Sequence, residues 1–448
     1  MKKQKTTWKN KAKNLLLLVL AVLLLVLTLV NWINDLSLDT VPTDSWLGRL
    51  YIDLSYGASG GFELRSGEIP AASPVECAVA REGALVGAQY NEVTVKSFLS
   101  AYGGTVAAAL GGVHKLEAGE ETAFLQALAS PALYLRYDSS LPLSLINNWM
   151  GGSAYTGAQD LTVTMLLLTQ DGQLWVRDID GMLFCAETDV DAGAAVDRNQ
   201  TFTGYACRFA AAAGTPYFNA AVHPETLLFS ETIALANLTC GPAQFDIESA
   251  ASLQQLLQAF GYEPYVSNYD DENTGKRVFV ENQSTLRVGE DGTVLFRANT
   301  VEGGLEAYLE SELRGENRLT YQIDYTRLLL ETVAQSFTSD ASFYFVRAEQ
   351  DETADVTRLL FRYAVGGVPI MGEEGVMAVA EFRDNMLLSA ELNLNIFKQS
   401  QTTAYLLPSE QAASAASDTP CSLRVGYFPE ADGGFRPNRY YLTDGKGT

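Results

Sequence analysis

Histidine is almost missing from this chain: His114 and His223 are the only two in 448 residues. Two isolated histidines without an H-E-x-x-H motif cannot supply an ordinary catalytic zinc site. Cysteine is sparse as well. Cys77, Cys185, Cys207, Cys240 and Cys421 are widely spread and form no C-x-x-C pair, which removes zinc-ribbon and thioredoxin-like chemistry. No S-x-x-K occurs, so a penicillin-binding type of serine site has no support. Basic charge is scarce after the first fourteen residues, where 25 lysines and arginines face 54 acidic residues, a net −29. A surface that acidic repels phosphate backbones and offers no footprint for nucleic acid.

What is present begins with charge of the opposite sign. Residues 1–14 hold six lysines and no acid, a basic tail that belongs on the cytoplasmic side by the positive-inside rule. Residues 15–33, LLLLVLAVLLLVLTLVNWI, come close to the ~20 apolar residues a membrane-crossing helix needs. A cleaved signal peptide shares this pattern, but no small-x-small cleavage site follows. The expectation is a single-pass signal anchor in the cell membrane, with the N-terminus cytoplasmic and the chain beyond Trp32 extracellular. Ala21 and Thr28 share one face of that segment, which makes them the candidates for contact with a partner helix.

Strand-like runs then alternate with a few amphipathic helices. The expected fold class is α+β: a single N-terminal transmembrane helix, then a multi-domain ectodomain of mostly antiparallel sheets with a few packed helices. Its expected parts are an N-terminal α+β region (34–155), an antiparallel sheet region (156–240), a helix-plus-hairpin region (241–315) and a C-terminal α+β domain (316–448). Helices are predicted over 90–110, with a break at Gly103 and Gly104, and over 120–128, 245–261 and 328–337. The third is the clearest, because Leu253, Leu256, Leu257 and Phe260 recur at helical spacing before Gly261. Asp171-Gly172 and Asp180-Gly181 predict the turns of a three-stranded meander over 161–185, and Asp291-Gly292 a hairpin over 278–298. Strands are predicted over 342–348, 357–364 and 376–382. Leu392, Leu394 and Ile396 alternate with Asn393 and Asn395, as in a strand with one face buried and one wet.

Candidate chemistry is thin. Gly57-Ala58-Ser59-Gly60-Gly61 spells G-x-S-x-G, but Gly67 and Pro70 deny it the helix a nucleophile elbow requires. Its base would have to be His114 or His223. Glu187, Asp189 and Asp191 lack the glycine and distal glutamate of a calcium loop and read as a solvated turn. Carboxylate pairs for glycoside hydrolysis stay open, since 54 acids offer many and spacing selects none. Cys207 with Cys240 is one disulfide among several the spacing allows, and buried thiols are the plainer expectation. In FRYAVGGVPIMGEEG (361–375), Gly366-Gly367 leads into Val368-Pro369 and not into a helix. Those glycines therefore read as a turn between strands, not a phosphate cradle. No cofactor or metal is expected.

Two short segments carry a resemblance. The Lys-rich anchor, followed by a strand leading into Leu141-Pro142-Leu143-Ser144-Leu145, resembles the YycH family of Gram-positive membrane regulators. A C-terminal helix followed by strands, with Tyr363-Ala364-Val365-Gly366-Gly367-Val368-Pro369-Ile370 between two of them, is similar to the sister family YycI and to the end of YycH. The resemblance implies a protein without catalytic residues. It also implies two partners, an essential sensor histidine kinase that controls the cell wall and a sister YycH/YycI-type protein. Alternatives from other classes are an envelope module that binds peptidoglycan or another wall polymer, and an envelope serine hydrolase.

Overall fold

The structure, a computed structural model, describes residues 73–81, 84–152, 155, 159–212, 221–263, 266–281, 283–307, 318–351, 353–416 and 419–443. The basic tail 1–14, the apolar run 15–33 with Ala21 and Thr28, and the motif around Ser59 lie outside them.

The expected α+β class with a membrane-crossing helix is corrected. Of the described residues 46% are strand and 23% helix. Among them, no helix is long and apolar enough to cross a membrane. The strands join three antiparallel sheets. The physical reason lies in weakly patterned segments for which the sequence shows no individual strand: Tyr205–Phe209, Leu227–Phe229 and Ala234–Pro242 each complete a ladder. Backbone pairing in a sheet rescues runs too short to stand alone.

In the first sheet the order is Glu117–Ala118, Leu183–Glu187, Gln173–Asp178, Thr162–Thr169, Pro131–Pro142, Glu76–Arg81, Ala84–Gln89, Tyr205–Phe209 and Leu227–Phe229. One face buries Ala78, Tyr134, Leu167, Trp175, Phe209 and Leu227 against Phe124 and Leu128 of the helix Glu121–Ala129. The expected meander is there, with Gly172 and Gly181 at positive φ in its turns. The second sheet runs Asn395–Tyr405, Ala234–Pro242, Gly434–Thr443, Cys421–Pro429. The third begins at Asn268–Asp271, passes through the expected hairpin Ser284–Gly289 and Thr293–Ala298, and ends at Val356–Val365 and Ser342–Asp351. Strand pairs cross residues 155 and 315, and residue 240 lies inside a strand.

The helix Glu92–Gly111 continues through Gly103 and Gly104, where a break was expected. Val95, Phe98, Tyr102, Val106 and Leu110 are buried along it. That packing outweighs the cost of about 1 kcal/mol per interior glycine. Residues 246–266 belong to a second compact unit. Its helix Ala250–Ala259 buries Leu253, Leu256 and Leu257, followed by Phe260 as C-cap, and Gly261 stops it at φ 72°. This is the periodicity the sequence shows.

Gly87 is required for close approach. A Cβ there would run into the backbone carbonyl of Cys77 on the adjacent strand. Gly87→Ala is expected to destabilise the fold by about 1–3 kcal/mol through forced backbone movement. Urea unfolding of the purified chain checks this, and an unchanged midpoint would contradict it.

Candidate functional site

Strand Pro131–Pro142 reads PALYLRYDSSLP, and its polar centre builds the site. Arg136 pairs with Met165, but the next paired residue is Leu141 opposite Val163, so residues 137–140 leave the ladder. The excursion puts Tyr137, Asp138 and Ser140 in the wall of a cleft of about 1060 Å³. The turn at 177–181, the start of the helix at Arg318, the strand Ser342–Asp351, Arg362 and the ends of the two C-terminal strands also line it.

Behind the cleft lies a row of buried polar groups. Glu76 pairs across its strand with both Gln89 and Arg136, so the three side chains share one face. Arg136 Nε donates to Glu76 Oε2 at 2.6 Å, and Gln89 Nε2 donates to Oε1. Glu76 is 0% exposed and Arg136 5%. Burial is the largest influence and works against the Arg136 charge, but Glu76, Tyr90 and Asp138 together outweigh it and hold the guanidinium well above its ordinary range. Asp138 accepts from Arg424 Nη1 and lies 3.9 Å from Arg136 Nη1. Burial pushes the Asp138 carboxyl up, and Arg136 pulls it back. Tyr90 sits in this layer at φ 49°, a left-handed conformation uncommon for an aromatic residue. Its hydroxyl accepts the Val425 N–H at 3.1 Å. Burial first, and then Asp138, raises the Tyr90 phenol.

Gly366 and Gly367 form a two-residue hairpin at φ 61° and 86°, with Val365 paired to Val368. Few residues besides glycine, chiefly asparagine and aspartate, adopt such left-handed turn positions cheaply. A Cβ on Gly367 would meet the Tyr90 backbone at 3.8 Å, so the hairpin tip rests against the residue that closes the polar layer. The turn expected from the sequence is the one observed.

A second group lies along the same cleft. Arg177 Nε and Nη2 donate to Glu225 Oε1 and Oε2 at 2.6 and 3.0 Å. His223 Nδ1 is 3.4 Å from Oε1. Burial would raise the Glu225 carboxyl, but the bond from His223 and the charge of Arg177 bring it down to about 2. His223 N–H donates to Cys421 O at 3.0 Å, and His223 and Ser422 both line the cleft. In a Ser-His-acid site the carboxylate's task is to orient the imidazole. Here both its oxygens also bind the arginine at shorter range, so Glu225 holds His223 and Arg177 together.

The other candidates from the sequence stand apart. His114 is exposed on the loop after the helix Glu92–Gly111. Asp191 caps the short helix Ala192–Arg198 by accepting the Ala194 N–H at 2.8 Å. Among the described residues, no group of three or more His, Cys, Asp or Glu is placed to hold a metal ion. Cys207 and Cys240 occupy different sheets, and all five cysteines remain thiols. Burial pushes the Cys207 thiol up to about 12, which makes it unreactive.

Sequence reasoning missed the arginines. Each interrupts a strand that is otherwise largely apolar: Arg136 in LYLRYD, Arg177 in LWVRD, Arg362 in LLFRYAV, Arg424 in SLRVGYF. A charge at the centre of an apolar run is the signal that could have found them, because an arginine is rarely buried without a partner. Compared with models of known families and with curated proteins, the chain matches none.

Proposed function

We propose that this chain is a non-enzymatic regulator working at the outer face of the cell membrane, which modulates a sensor histidine kinase of a two-component system by protein–protein contact. The observation that carries it is the chemistry of the cleft. Its buried carboxylates are held by arginines, Asp138 by Arg424 and Glu225 by Arg177. Carboxylates bonded to arginines in this way present a fixed pattern of charge to a partner. The basic, apolar N-terminal sequence and the likeness of the segment 363–370 to the YycH and YycI families support the place of action and the class of partner.

The full-length chain in mild detergent is expected to co-purify with a sensor histidine kinase from the membranes of its host, and to change that kinase's autophosphorylation on reconstitution. Recovery of the chain alone would overturn the proposal. So would turnover of wall polymer by the wild type that Ser422→Ala abolishes.

A further inference from the structure

Resting on the proposed place of action outside the membrane, and naming what a regulator there would read, we infer that the cleft is a binding site for an uncharged saccharide. Its lining is rich in aliphatic hydroxyls: Ser140 on the excursion, Thr162 and Thr164 on the neighbouring strand, then Thr357, Ser422 and Thr443. None of these six hydroxyls has a hydrogen-bond partner among the described residues. A hydroxyl donates one hydrogen bond and accepts two, so a wall built from them matches the hydroxyls of a sugar, which do the same. Strand geometry gathers them: Thr162 and Thr164 are two apart, and every second residue of a strand shares a face. Across the C-terminal strands Ser422 pairs with Leu442 and Arg424 with Tyr440, and all four line the cleft. Leu442, Ile179 and Val346 add apolar surface beside the hydroxyls. A sugar ring carries the same mixture, hydroxyls at its rim and C–H groups on its faces.

The charges of the cleft argue against an ionic ligand, because they are committed to one another. Arg177 is paired with Glu225, Arg318 with Asp384, Arg347 with Glu349 and Arg424 with Asp138. Arg362 Nη2 donates to the Gly372 carbonyl, and the Nε atoms of Arg362 and Arg424 are buried beyond a ligand's reach. No cation is left over for a phosphate or a carboxylate, which the net −23 of the chain also repels. Asp178 accepts the backbone N–H groups of Asp180 and Met182. Asp180 is exposed, and a single exposed charge holds a cation weakly. Neutral hydrogen bonds gain little over those made to water, so a site that relies on them must be fixed before the ligand arrives. The excursion is fixed: Ser139 Oγ donates to the Phe345 carbonyl, and Arg424 Nη1 donates to Asp138 and, at 3.4 Å, to the Tyr137 carbonyl. A volume of about 1060 Å³ is at the top of the ~300–1,000 Å³ usual for small-ligand sites, which gives room for more than one ring.

The test is calorimetric titration of the full-length chain, in a detergent whose head group carries no sugar, with three soluble tetramers. Two are neutral, the β-1,4 tetramer of N-acetylglucosamine and maltotetraose; the third, tetragalacturonate, is the charged control. At least one neutral tetramer is expected to bind, and tetragalacturonate is not. Ser140→Ala and Thr164→Val, with unfolding midpoints checked against the wild type, are each expected to weaken that binding about tenfold, the loss of one hydrogen bond. Binding of none of the three, preference for tetragalacturonate, or a neutral tetramer held equally well by both variants would overturn the inference. Co-sedimentation with purified wall sacculi, competed away by the tetramer, would identify a wall strand as the source of the saccharide; binding of the soluble tetramer alone would identify a free oligosaccharide. Kinase recovery without saccharide binding would remove this inference and leave the proposed function standing; saccharide binding without kinase recovery would do the reverse.

Discussion

Arg136→Met is expected to lower stability by about 3–5 kcal/mol, the penalty for a buried charge left without its partner. Methionine fills a similar volume, so little is lost in packing. What is lost is the only cation bonded to the Glu76 carboxylate among the described residues. That carboxylate is 0% exposed and otherwise receives just the Gln89 amide. An ionised carboxylate left in that layer loses its counter-charge without gaining water. The decisive control is the double variant Glu76→Leu with Arg136→Met, in which the pair is replaced and no charge is stranded. Denaturant unfolding should show the double variant markedly more stable than Arg136→Met alone. If the two variants unfold alike, the cost comes from shape and not from the buried charge.

Glu225→Gln is expected to cost about 3 kcal/mol at neutral pH, and that cost should vanish in acid. The Glu225 carboxyl is depressed from the ordinary 4.5 to about 2. A depressed carboxylate contributes stability that is fully present above its unfolded value and lost as pH falls through its folded value. The contribution is therefore complete at neutral pH, begins to decline near 4.5 and is gone below about 2. Once protonated, Glu225 resembles the glutamine that replaces it. Unfolding curves of the two proteins at a series of pH values should thus converge on the acid side. A difference that stays constant with pH would show that the hold of Glu225 on His223 and Arg177 is not ionic.

Much of the local ladder order is legible in the sequence. Asp171-Gly172, Asp180-Gly181 and Asp291-Gly292 mark hairpins because left-handed turn positions admit few residue types. The spacing of Leu253, Leu256, Leu257 and Phe260 marks a helix because only a 3.6-residue period puts them on one face. The helix beginning at Arg318 starts ten residues before its predicted position, since buried polar residues such as Thr320, Gln322 and Arg327 hide its apolar stripe. The site is less legible. Glu76, Arg136, Glu225 and Arg424 are separated by up to 348 positions, and nothing in local spacing joins them.

By itself the sequence determined local geometry: where the chain must turn, which face of a helix is apolar, and that a strongly acidic body follows a basic, greasy start. Only the tertiary structure decided which charges meet. Turns and faces depend on neighbours a few bonds away, whereas an ion pair depends on sheet order and register. A one-residue slip in the strand 131–142 would turn Arg136 to the opposite face, away from Glu76, and dissolve the polar layer behind the cleft.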